Sequence, residues 1–153
     1  MRLTAQTDFA LRTLMFLAAS EGHQTIEIIA SHYGISKNHL MKVAQRLVAE
    51  GYVESVRGRG GGLALARAPE AMNVGEIVRN FEDVGTFVEC FDPATNQCAA
   101  TPACGLKHIL GGGVSAFMAH LDRFSLADLV TNRADFRLAL NLVGVQQDGG
   151  ERG

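Results

Sequence analysis

The chain has 153 residues, 47% of them hydrophobic and 20% charged, enough for one compact core or a small domain with a dimerisation element, and too apolar for bulk disorder. No apolar run approaches the roughly 20 residues that a membrane span needs. The formal net charge of −2 hides an asymmetry, since residues 1–70 carry eight Lys/Arg against six Asp/Glu and residues 71–153 six against ten, so DNA binding is not excluded.

Thr4 offers an N-cap for a first helix reaching about Ala19, with Leu11, Leu14, Met15 and Ala18 on one face, and Glu21-Gly22 ends it. A second, short helix follows Thr25, carries Ile26, Ile28, Ile29 and Ala30, and stops at Gly34, a residue suited to a left-handed C-cap. Ser36 offers the N-cap of a third helix whose Leu40, Val43, Ala44 and Leu47 face inward and which Gly51 closes. Two helices joined by a tight glycine-containing turn form a helix-turn-helix. Tyr52–Val56 and Leu63–Leu65 then read as two short strands joined by Arg57-Gly-Arg-Gly-Gly-Gly62, a hairpin with a glycine-rich, doubly basic tip. Helix-turn-helix plus hairpin is a winged helix.

In such a unit the third helix meets the major groove with its N-terminal residues, here Ser36, Lys37, Asn38 and His39, with Lys42 one turn on. Asn38 has the donor and acceptor pattern of adenine, while Lys37 and Lys42 suit guanine or phosphate. The glycines let the wing approach the DNA backbone closely, so that Arg57 and Arg59 reach phosphates or a narrow minor groove.

Ala68-Pro69 separates the wing from a short helix at Val74–Phe81. Beyond a loop, Leu106, Leu110, Val114, Phe117 and Leu121 recur at gaps of four, four, three and four, the stripe of a long amphipathic helix. Little else in the chain is left to cover that stripe, so it is expected to pack on the same helix of a second subunit, and a symmetric dimer suits a palindromic operator in double-stranded DNA. Gly111-Gly-Gly113 interrupts the stripe at roughly 1 kcal/mol per glycine relative to alanine. It fits either a close backbone approach or a break. Ser125-Leu-Ala-Asp128 resembles a capping box that starts a final helical region around Leu126–Val130 and Phe136–Leu142.

The expected fold is therefore mainly α with a small β-hairpin wing. A winged helix-turn-helix occupies residues 1–70, a connecting helix and cysteine loop 71–105, the dimerisation helix and C-terminal helical region 106–143, and a frayed tail 144–153. The N-terminus lacks the order of charge, apolar run and cleavage site of a signal peptide, which predicts a cytoplasmic protein.

Cys90, Cys98 and Cys104 are the only cysteines, and all lie in one polar loop with Pro93, Asn96, Gln97 and Pro102. Three thiols are too many for one disulfide and one short of a four-thiolate site. The spacing Cys90-x7-Cys98-x5-Cys104 is not a CxxC pairing, and it suits a loop wrapped around an object larger than one ion. Thiolates are the usual ligands of iron–sulfur clusters, with one site here left to another ligand. Zinc held by the three cysteines and an acid or histidine is an alternative, and ordinary buried cysteines another. No CxxC, P-loop, GxGxxG after a strand or paired acid–base constellation points to an enzyme.

The sequence resembles the NsrR family of nitric-oxide-sensing repressors, within a wider superfamily of winged-helix iron–sulfur regulators. The likeness covers nearly the whole chain, through Arg2-Leu-Thr4, Thr7-Asp8, Arg57-Gly58 with Gly61-Gly62, Thr101-Pro-Ala-Cys-Gly-Leu-Lys107 and Leu126-Ala-Asp-Leu-Val130. It implies a homodimeric repressor that binds DNA with its cluster intact, nitrosylation of the cluster releasing the DNA. It also implies that Cys90, Cys98 and Cys104 are the three thiolates, that Asp8 supplies a carboxylate fourth ligand across the dimer, and that the cluster is 4Fe–4S, with 2Fe–2S the alternative. Sister regulators that sense redox state or cluster supply use a histidine three residues after the last cysteine. That position is Lys107 here, with His108 one further on. The long gap between Cys90 and Cys98 and the run Gly111–Gly113 depart from the family pattern.

Overall fold

Side-chain caps set most of the helix starts in the computed structural model, which describes residues 2–142. Helix α1 spans Ala5–Ala19, and Thr4 accepts from the Thr7 amide at 3.3 Å. Helix α2 spans Ile26–Tyr33, opened by Thr25, which accepts from the Ile28 amide, and closed by Gly34 at φ +63° and ψ +32°. Helix α3 spans Lys37–Ala49. Ser36 stands at its N-cap position, but its side chain makes no capping hydrogen bond. Strands β1 (Val53–Val56) and β2 (Gly62–Leu65) pair antiparallel, with Val53 opposite Leu65 and Val56 opposite Gly62. Helix α4, Val74–Phe81, is capped by Asn73 through the Glu76 amide at 3.0 Å.

The long helix α5 runs unbroken over Gly105–Leu121, straight through the three glycines. Residues 126–129 form α6, opened by a capping box in which Ser125 and Asp128 exchange bonds. The last helix, α7, lies at Arg133–Ala139 rather than at 136–142, because the Asn132 side chain accepts from the Asp135 amide and starts it earlier. The expected tail at 144–153 lies outside the described residues. No helix among the described residues is long and apolar enough to cross a membrane.

One core joins the elements. Ala10, Leu14 and Phe16 of α1 meet Ile29, Leu40, Leu47 and Tyr52, and the same cluster takes in Met72, Ile77, Phe81, Leu126 and Val130. The chain after α5 thus returns to α1, and a two-residue bridge between Asn73 and Ser125 holds that return in place. Helix α5 takes little part. Of its residues only Met118 is buried, Leu106 and Ile109 are 58% and 73% exposed, and Leu110, Val114, Phe117 and Leu121 are half-buried.

Candidate functional site

The outward face of α3 follows from its amphipathic pattern. Burying Leu40, Val43, Ala44 and Leu47 against the core turns Lys37, Asn38, His39 and Lys42 outward, and these residues and Ser36 are all exposed. Lys37 is not free of the protein, since its ammonium pairs with Glu27 of α2. The hydrogen bond from Lys37 holds the Glu27 carboxyl below its ordinary range. Glu27 is a member of this face that periodicity does not reveal, because the pair joins two helices rather than one helix surface. Lys42, Arg57 and Arg59 enter no ion pair among the described residues.

Arg57 and Arg59 are exposed on the wing tip. The base of the wing is anchored by a third segment. Gln24 donates to the Leu63 carbonyl at 2.9 Å and accepts from the Leu63 amide at 2.8 Å. Glycine at position 62 is required there, because a Cβ would sit 2.7 Å from the Gln24 carbonyl oxygen. The base of the wing is therefore tied to the loop ahead of α2.

The cysteine loop links α4 to α5. Cys90 lies in a short 3₁₀ turn and is half-buried, Cys98 is exposed, and Cys104 is half-buried at the N-cap of α5. All three are free thiols. Polar side chains shape the loop: Glu89 accepts from the Gln97 amide at 2.7 Å, and Asn96 accepts from the Cys98 amide at 3.0 Å. Asp92 accepts from the Ala94 amide and the Thr95 hydroxyl, both at 2.9 Å, and these bonds keep its carboxyl below the usual range. Phe91 lies beside Gly111, whose Cβ would stand 3.8 Å from the ring, so this glycine faces the loop.

Asp8 sits in the first turn of α1, away from this loop in sequence and committed to Arg12. Arg12 donates through Nε at 3.0 Å and Nη2 lies 2.9 Å from the second carboxylate oxygen. The same guanidinium lies 5.8 Å from the centroid of the Tyr33 ring. Within one chain, no three His, Cys, Asp or Glu side chains among the described residues converge on a metal-sized point. The donor chemistry nevertheless fits an iron–sulfur group: three unbridged thiols occupy one loop, and one of them is exposed. His108 is exposed and Lys107 half-buried.

The family model for Rrf2, described as an iron-dependent transcriptional regulator, matches residues 3–132. This chain belongs to the Rrf2 family. It is a transcriptional regulator, and among Rrf2 proteins it is similar to the HTH-type transcriptional regulator NsrR of Bacillus subtilis, 50% identical over 93% of this chain and 99% of that protein. The NsrR regulator of Bacillus licheniformis is 46% identical over 92% of this chain and all of its own length. Among solved structures, T. potens IscR superposes with a TM-score of 0.70 at 24% identity, covering 90% of this chain and 91% of that one, which shows the shared winged-helix Rrf2 fold.

Proposed function

We propose that this Rrf2 regulator is a cytoplasmic, homodimeric repressor that binds a palindromic operator and releases it in response to nitric oxide. Cys90, Cys98 and Cys104 would hold a 4Fe–4S cluster, with the partner subunit's Asp8 as the fourth ligand. When bound, that group supplies iron open to attack by nitric oxide, and a carboxylate oxygen is a more readily displaced ligand than a thiolate. The observation that carries the reading is the joining of three unbridged thiols, in one loop, to a winged helix whose Lys42, Arg57 and Arg59 enter no ion pair among the described residues. Similarity to NsrR regulators over nearly the whole chain supports it.

The chain's own residues divide the work. Residues 1–70 bind DNA, with Ser36, Lys37, Asn38, His39 and Lys42 in the major groove and Arg57 and Arg59 on the backbone or minor groove. Residues 71–105 hold the cluster. Residues 106–143 dimerise, and the half-covered stripe on α5, with Leu106 and Ile109 exposed, supports a second copy as its cover. In the free chain Asp8 is held by Arg12, so ligation must compete with that pair. Cys98→Ala is expected to abolish cluster absorption and operator binding while leaving a folded dimer. Tight, sequence-specific binding by the cluster-free variant contradicts the proposal.

A further inference from the structure

Helices α3 and α4 are not among the closely packed pairs of elements, and the side chain of Arg46 reaches from one to the other. Arg46, near the end of α3, donates through Nη2 to the backbone carbonyl of Asn80 in the last turn of α4. Its guanidinium lies 4.7 Å from the centroid of the Phe81 ring, and Nη1 donates to Gln6 of α1 at 3.5 Å. The last carbonyls of a helix have no partner within it and carry the negative end of its dipole, so a cation placed there both satisfies and stabilises them. A second strut runs beside it. Asn80 donates to the buried Tyr52 hydroxyl at 2.7 Å, and that hydroxyl donates to Glu76 at 3.3 Å.

The other contacts of α4 tie it to the start of α1 and to the far end of α5. Glu82, its C-cap, accepts from the Thr4 amide at 2.5 Å, and Thr4 caps the helix that carries Asp8. Arg79 clamps both carboxylate oxygens of Asp122 at the C-terminal end of α5, at 2.7 and 2.5 Å. Gly75 makes room for that carboxylate, since a Cβ there would collide with it. Helix α4, the loop and α5 therefore form a closed unit, and the chain enters the loop directly from the helix end that Arg46 grips.

We propose that Arg46 is a positioning residue that couples the state of the cysteine loop to the placement of the recognition helix, by capping the C-terminal end of α4. This rests on the functional reading above, in which the loop holds a cluster. A shift of the loop reaches Phe81 and Glu82 first, and Arg46 carries it to α3. Coupling between two sites requires such an element, one whose position both sites bias.

The test compares operator affinity of the cluster-loaded and cluster-free dimers for the wild type, Arg46→Met and Arg46→Lys. Methionine keeps the apolar stem of this exposed side chain, and lysine keeps the charge without the flat face that stacks on Phe81. The wild type is expected to lose at least tenfold in affinity with the cluster. In Arg46→Met that ratio falls to within about threefold of one, with cluster absorption unchanged, and lysine restores part of it. Amide exchange gives a second readout: cluster removal speeds exchange at 80–82 and at the end of α3 in the wild type, but only at 80–82 in Arg46→Met. An unchanged affinity ratio, or equal weakening of both forms with a smaller salt dependence, overturns the proposal and makes Arg46 a structural or phosphate-contacting residue. A wild-type ratio of one removes the functional reading itself, and the coupling with it.

Discussion

Gly62→Ala tests how the wing is anchored. Gly62 has φ +145°, and an added Cβ would meet the Gln24 carbonyl oxygen at 2.7 Å, its carbonyl carbon at 2.8 Å and its nitrogen at 3.2 Å. All three are backbone atoms, so no flexible side chain can yield. Gly58 in the same hairpin has φ +99° and nothing within 4 Å of a Cβ. Backbone strain of about 1–3 kcal/mol applies at both positions, and the difference between them isolates the collision. The collision is relieved by overpacking, at about 1–3 kcal/mol, or by giving up the two Gln24–Leu63 bonds, at about 1 kcal/mol each. Gly62→Ala is therefore expected to be less stable than Gly58→Ala by about 2 kcal/mol, or roughly 4–8 °C in Tm for a domain of this size. Thermal denaturation measures the difference, and a titration with operator DNA shows whether the displaced wing binds more weakly. Equal melting temperatures for the two variants refute the anchoring of the wing by Gln24.

Arg59→Ala should weaken binding across all DNA sequences and lower the slope of log affinity against log salt by about 1 per subunit, with cluster absorption preserved. A loss confined to the operator sequence argues for base reading instead. Both tyrosines of the chain are held above their ordinary value of 10.0 by burial, Tyr33 to about 12. The native state keeps those protons where the unfolded chain loses them, so stability falls as pH rises from 10.0 through about 12, and Tyr33→Phe removes the higher step from a tyrosinate absorption titration. Ionisation of Tyr33 at its ordinary value in the folded protein contradicts this. The Ser125 amide and then its hydroxyl hold the Asp128 carboxyl below the usual 3.8. The contribution is present above 3.8 and lost as pH falls through the lowered folded value, so the stability gap between wild type and Asp128→Asn should close in acid. A gap independent of pH rules out the carboxylate as its source.

Local signals made much of the fold legible. Thr4, Thr25, Gly34 and the Ser125–Asp128 pair each act within four residues, and the structure uses each as a cap. The short helix at Val74–Phe81 and the glycine-rich hairpin were legible for the same reason. What depends on distant partners was not. Gln24 anchors the wing and Glu27 takes Lys37 from another helix, and neither leaves a periodic trace. The Asn132 cap that shifts α7 is by contrast as local as the Ser125–Asp128 pair, and only the apolar pattern from Phe136 onward obscures it. Gly111–Gly113 lie within a continuous helix, which composition alone left open. The three cysteines were visible as a set of donors in one loop, but no three metal-ligating side chains among the described residues of one chain converge on a point.

Anaerobic purification followed by native mass spectrometry and absorption, with and without nitric oxide and operator DNA, decides whether this regulator senses nitric oxide through a cluster. The expected species is a dimer with one 4Fe–4S increment per subunit, bound to operator, that loses its iron–sulfur absorption and releases the DNA together as nitric oxide is added. A colourless zinc or metal-free protein, holding the operator equally well at every nitric oxide concentration, is not a nitric-oxide sensor.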